Sequence, residues 1–210
     1  GKVARQANGA VWVQYGGTVV LVAATATKKP KDMPYFPLMV EFRSKWYASG
    51  RIPGGFFKRE GPPREKEIVS ARQIDRSIRP LFPSDYQNDV QVFVSVISTD
   101  CENDADILGL IGGSAALSIS DIPFAKTIAS VRVGRIKGEL LINPTMSEFK
   151  ESDIELVVAG SADSIVMVEG GGQIVPEDDM VEALAFAHEH IKPIVAMIDE
   201  LKAEVGKPNQ

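Results

Sequence analysis

β-Branched and aromatic residues crowd the runs 10–15 and 18–26, and Gly16-Gly17 parts them. Two such runs joined by a glycine pair predict a β-hairpin. A third strand is expected over 37–43. From 44 to 64 the periodicity stops, broken by Gly50, Pro53, Gly54, Gly55, Gly61, Pro62 and Pro63. A loop of that length within a domain is usually functional or mobile. Helical spacing returns from Glu65 to about Ile78 and ends before Pro80 and Pro83. Val90 to Ser98 reads as a buried strand. The helix expected over 104–118 carries Gly112, Gly113, Ala115 and Ala116, small enough for close packing. A second hairpin is expected from 128–136 and 139–142 around Lys137-Gly138, followed by strands at 153–159 and 164–169 and a turn at Gly170-Gly171-Gly172. The last helix, 176–203, opens with Pro176 and with Glu177, Asp178 and Asp179 near the positive end of its dipole. Pro193 should bend or split it.

Hairpins are present and strict strand–helix alternation is absent, so the expected class is α+β with mixed sheets and packed helices. The 210 residues fit one sizeable domain, 1–210, with the irregular segment 44–64 inside it. Composition is that of an ordinary globular protein, 44% hydrophobic and 24% charged. The net charge of −5 does not suggest a nucleic-acid binder, but it averages over an asymmetry. Between Arg43 and Arg79 there are ten Lys/Arg and four acids, so this segment carries +6 and the remainder −11. Such a basic region on an acidic body suits recognition of a polyanion. Cys101 is the single cysteine and cannot form an intrachain disulfide. No apolar run approaches the ~20 residues needed to span a bilayer, so no membrane association is expected.

Two clusters carry candidate chemistry. Phe56, Phe57, Lys58 and Arg59 set faces for bases beside cations for phosphates, the composition that binding of single-stranded nucleic acid requires. Equally, the phenylalanines could plug the core while the cations are solvated. On the helix after the loop, Arg72, Arg76 and Arg79 fall within about 60° of one another. They flank an apolar stripe of Ile68, Ala71, Ile74 and Ile78, with Ser70, Gln73 and Ser77 expected on the solvent side. Three arginines on one face suit an anion, and the alternatives are a subunit contact or an internal ion pair, for instance with Asp75 or Glu65. The remaining clusters are weaker. His188 and His190 diverge on a helix, and Asp100, Glu102, Asp104 and Asp106 lack the glycine and terminal glutamate of a calcium loop, which leaves a capped, solvated turn. Glu151, Asp153 and Glu155 alternate as on a solvated strand face.

The run Gly50-Arg-Ile-Pro-Gly-Gly-Phe-Phe-Lys-Arg-Glu-Gly61, with Ala71-Arg-Gln-Ile-Asp-Arg-Ser-Ile-Arg-Pro-Leu-Phe-Pro83, resembles the first core domain of the polynucleotide phosphorylases. Asn88–Val92, Gly113–Phe124, Val131–Ile136 and Leu156–Gly160 extend the resemblance in order over nearly the whole chain. It implies an RNase PH core, a fold like ribosomal protein S5 domain 2, and a homotrimeric ring with two such cores per chain around an RNA channel. It also implies mRNA degradation and processing by 3′→5′ phosphorolysis, with inorganic phosphate as co-substrate, Mg²⁺ as cofactor and nucleoside diphosphates as products. Single-stranded RNA, partners in RNA-degradation complexes and a bacterial cytoplasmic setting, or an organelle, belong to the same implication.

In that family the competent centre lies in the second core, where a Ser-rich segment holds phosphate and two aspartates hold the metal. Here the matching segment is Glu102–Leu110, Asp153 matches one metal carboxylate as a vestige, and Ser147 stands in place of the other. The resemblance therefore implies no catalytic residue and no metal site in this segment. It assigns RNA binding to Phe56, Phe57, Lys58 and Arg59, and the channel with its vestigial anion pocket to Arg72, Arg76 and Arg79. Pro62 or Pro63 stands where the family often has a further arginine. It also implies a family strand before Gly1 and further domains after Gln210. The rival readings are an inactive RNase PH-like ring subunit that only binds RNA and assembles, and an active RNase PH-type enzyme. The missing phosphate and metal ligands argue against the second rival.

Overall fold

The computed structural model describes residues 2–208. The expected hairpin forms from β1 (Gly9–Tyr15) and β2 (Thr18–Pro30), with Tyr15 opposite Thr18. β2 pairs antiparallel with β4 (Asn88–Ser98), and β3 (Leu38–Ser44) lies parallel to β4 at the edge. The first sheet thus has the order β1-β2-β4-β3. The second is antiparallel throughout, β6-β5-β7-β8, built from β5 (Ala129–Ile136), β6 (Glu139–Ile142), β7 (Ile154–Gly160) and β8 (Ile165–Gly172).

One helix joins the two sheets. α2 (Ala105–Ser118) packs on β1, β2 and β4 on one side and on β5 on the other. Every residue from Asp106 to Ser118 is buried, as expected of a helix with apolar residues on all its sides, and the burial takes in Asp106, Ser114 and Ser118 as well. Its glycines are dictated by that sandwich. A Cβ on Gly112 would come 2.5 Å from Val22 Cγ2, and one on Gly109 would come 2.9 Å from the Phe42 ring. α1 (Glu65–Ile78) covers β3 and touches α2 and β8, while α4 (Glu177–Val205) lies across β5, β6 and β7. Ile74, Ile78, Val92, Ile128, Ile154 and Ile191 anchor a continuous core through both layers. Each contributes about 1.5–3 kcal/mol by leaving water.

Several elements depart from the expectation. α1 buries Glu67, Ser70, Ile74, Ser77 and Ile78, while Ile68 is exposed, so Ser70 and Ser77 face inward rather than to solvent. Their hydroxyls donate to the carbonyls of Lys66 (2.9 Å) and Gln73 (2.8 Å) on the same helix, which removes the cost of burying them. Pro193 does not split α4. Ala183, Ala187, Ile191, Val195 and Ile198 hold the helix to the second sheet on either side of it. Gly170–Gly172 is strand rather than turn, and Gly170 is required there because its Cβ would lie 1.8 Å from the Glu155 carbonyl oxygen. A short helix, α3 (Met146–Phe149), follows Thr145 and carries a capping box closed by Glu148.

Candidate nucleic-acid interface

The irregular segment between β3 and α1 is tied at its base by two carboxylates. Glu67, 6% exposed, accepts the Ser44 N–H on Oε1 and the Arg64 N–H on Oε2, both at 2.6 Å. Glu60 Oε1 accepts the Trp46 N–H at 3.0 Å, and Arg43 Nη2 donates to the Gly61 carbonyl at 2.6 Å. The Arg64 guanidinium sits 4.6 Å from the Trp46 ring centroid. One leg is also fastened to the end of the first sheet, through Lys45 N–H to the Val96 carbonyl and Thr99 N–H to the Ala48 carbonyl.

The tip projects from that base. Phe56 is 94% exposed and Phe57 73%, set edge to face with centroids 5.5 Å apart. Neither plugs the core. Arg59 holds its guanidinium 5.2 Å from the Phe57 centroid, and Lys58 adopts a left-handed φ of 47°. Among the described residues neither cation makes an ion pair. Two exposed rings beside two unneutralised cations can stack on bases and contact phosphates.

Arg72 and Arg76 on α1 and Arg79 just after its end do not converge on one pocket. Arg79 reaches Asp75 through Nε (3.0 Å) and Nη2 (2.6 Å) and donates to the carbonyls of Phe36 (3.1 Å) and Leu38 (3.2 Å). It pins the start of β3, so the internal ion pair is the arrangement found. Arg76 pairs with Glu169 on β8. Arg72 alone has no ion pair among the described residues, and it borders a groove of about 330 Å³ between β3 and α1 with Val40 and Ile68.

The acidic segment before α2 is not uniformly solvated. Asp100 does cap a turn, accepting the N–H groups of Gly17, Glu102 and Asn103. The Asn103 N–H is the largest influence holding its carboxyl far below the usual range. Asp106 is instead buried against Arg132, whose guanidinium also meets Asp104 at 3.3 Å, while Lys66 reaches Asp104 at 2.6 Å. Burial pushes the Asp106 carboxyl upward, against the pull of Arg132. These groups, with Glu65, Glu155 and Glu169, line a cavity of about 550 Å³ whose carboxylates outnumber its cations. Free phosphate would be repelled there.

The residues matching a metal site do not fit Mg²⁺. Arg135 occupies the Asp153 carboxylate through Nε (2.9 Å) and Nη2 (2.7 Å) and also binds Asp179 at 2.5 Å. That hydrogen bonding holds Asp153 below its ordinary value. Ser147 donates to Glu102 at 2.9 Å and supplies no carboxylate. His188 and His190 each bond a different backbone carbonyl, of Ser161 and Phe186. Sequence reasoning missed the Glu60–Glu67 base and the Arg132–Asp106 pair. The only local hint of the former was Arg64 with Glu67 at capping-box spacing.

Residues 1–123 match the sequence model described as 3′ exoribonuclease family, domain 1, and residues 126–190 match domain 2 of the same family. The boundary falls between the first sheet with its helices and the start of β5. The chain is 54% identical over 211 residues to a polyribonucleotide nucleotidyltransferase of Heliobacterium modesticaldum, covering 100% of this chain and 30% of that protein. Its counterpart in Halalkalibacterium halodurans is 54% identical over 207 residues, covering 99% and 29%. That of Chlorobium phaeobacteroides is 50% identical over 212 residues, covering 100% and 29%. The chain thus spans about 30% of the length of the curated relatives it matches. No described helix is long and apolar enough to cross a membrane.

Proposed function

Because the chain belongs to the 3′ exoribonuclease family, with an RNase PH fold, we propose that it is the RNA-guiding first core of a polyribonucleotide nucleotidyltransferase. The whole enzyme degrades single-stranded RNA from the 3′ end, using inorganic phosphate to release nucleoside diphosphates. Its chemistry is phosphoryl transfer, which depends on positioning and charge stabilisation. Phosphate and Mg²⁺ are held outside these 210 residues, and this core feeds the strand and builds the ring. Homotrimeric assembly and a bacterial cytoplasmic setting accompany that reading. Arg72 is the α1 arginine available to a passing phosphate, whereas Arg76 and Arg79 shape the wall beside the strand.

The observation that carries the proposal is the exposed Phe56–Phe57 pair flanked by Lys58 and Arg59. Two large apolar rings held in water are unfavourable unless they have a partner. Base stacking on an aromatic ring is worth about 1–3 kcal/mol per base. Phe56→Ala with Phe57→Ala should therefore weaken binding of a single-stranded oligoribonucleotide by roughly tenfold or more, read by fluorescence anisotropy at fixed salt. Unchanged affinity would remove the RNA role.

A further inference from the structure

We infer that Glu60 and Glu67 are positioning residues for RNA capture, clamping the two legs of the 45–64 loop so that Phe56 and Phe57 stand outward before RNA arrives. The inference rests on the RNA-binding reading of that tip. The tip has little packing of its own. A Cβ added to Gly50, Gly54 or Gly55 would meet nothing within 4 Å, and Ile52 is 87% exposed. Its placement therefore has to come from the base. There the two oxygens of Glu67 take N–H groups from Ser44, at the end of β3, and Arg64, at the start of α1. A helix cap needs only the Arg64 bond. The Ser44 bond, from a residue 23 positions away, is what closes the loop.

Glu60 repeats the arrangement one step outward on Trp46, and Arg43 with the Gly61 carbonyl adds a third cross-tie. All three bonds have one charged partner and one backbone partner, a pairing stronger than a neutral hydrogen bond. Released at the base, the loop would fold its rings onto nearby apolar surface such as Tyr47 and Ile52, both exposed. Affinity would then fall by the fraction of molecules that still present the rings.

The test compares Glu60→Ala, Glu67→Gln and the Phe56→Ala/Phe57→Ala double variant in the full-length protein. An amide at position 67 keeps one acceptor and turns its NH₂ toward the other N–H. Three quantities are measured: affinity for single-stranded RNA, its salt dependence, and the rate of tryptic cleavage after Arg51, Lys58 and Arg59, mapped by mass spectrometry. Each glutamate variant should bind RNA roughly fivefold more weakly, with faster cleavage in the loop. The slope of log K against log salt should not move, since no phosphate contact is lost. Glu60→Ala removes the Trp46 acceptor and leaves the α1 cap intact, so it decides the matter if the Glu67 variant folds poorly. Faster cleavage with unchanged affinity would overturn the clamp while leaving the RNA reading intact, and so would weaker binding with unchanged cleavage. No effect of the phenylalanine variant would instead remove the reading on which the clamp rests.

Discussion

Replacing Lys58 and Arg59 together by alanine removes the two unneutralised cations at the loop tip and leaves its base untouched. Both lie beyond the Glu60–Trp46 tie, and among the described residues neither is held by a carboxylate, so the fold should not register their loss. Each phosphate contact to single-stranded nucleic acid contributes about −0.7 to the slope of log K against log salt. Arg59 also leans over Phe57, so part of its role is to orient that ring. One to two lost contacts make the slope shallower by roughly one unit. Between about 50 and 200 mM salt, one unit of slope corresponds to about a fourfold difference in affinity, so wild type and variant should converge as salt rises. Anisotropy titrations at four or five salt concentrations resolve this difference. Single-turnover phosphorolysis of an already engaged 3′ end in the complete enzyme should change little. If affinity and slope both stay as in wild type, the tip does not contact phosphates. If affinity drops at constant slope, the effect comes from stacking or loop geometry.

Incubated with oligo(A), phosphate and Mg²⁺, the 210-residue chain should release no ADP. Sustained release from contaminant-free protein would favour an active RNase PH-type centre over a guiding core. Arg79→Ala should destabilise the fold by about 1–3 kcal/mol in urea titrations, because Asp75 and two carbonyls lose their donor, whereas Arg72→Ala should stay within about 0.5 kcal/mol. Equal effects would contradict the division between them. Asp100 has a folded-state pKa lowered chiefly by the Asn103 N–H, with the N–H groups of Glu102 and Gly17 adding to it. Its contribution is therefore present above the unfolded value near ~3.9 and lost as pH falls below it toward the folded value. Thermal melts should show Asp100→Asn with a lower Tm at pH 7 and a flatter decline below about pH 4 than wild type.

The sequence by itself determined the local elements of this protein. Gly16-Gly17 between β-branched runs encodes the β1–β2 hairpin, and Pro80 with Pro83 ends α1 within one turn of its expected limit. The mostly apolar, glycine-bearing stretch 105–118 encodes a helix suited to close packing, and α2 packs closely. These signals act over a few residues, where backbone sterics and hydrophobic period decide the outcome. Thr145 and Glu148, at capping-box spacing, encode α3 in the same local way. Tertiary structure alone decided the rest. Composition around Phe56 and Phe57 could not show whether those rings pack or project, because that depends on what the folded chain sets against them, and there they stand exposed. The stripe of Ile68, Ala71, Ile74 and Ile78 was off by part of a turn, because Ser70 and Ser77 satisfy their hydroxyls on their own helix and pack inward. The arginines could not be sorted from spacing either. The partners that occupy Arg79 and Arg76 include Phe36, Leu38 and Glu169, far along the chain, and only folding brings them within bonding distance. An ion pair or a clamp forms between groups that meet in space, so its members become legible only once the sheets and helices are assembled.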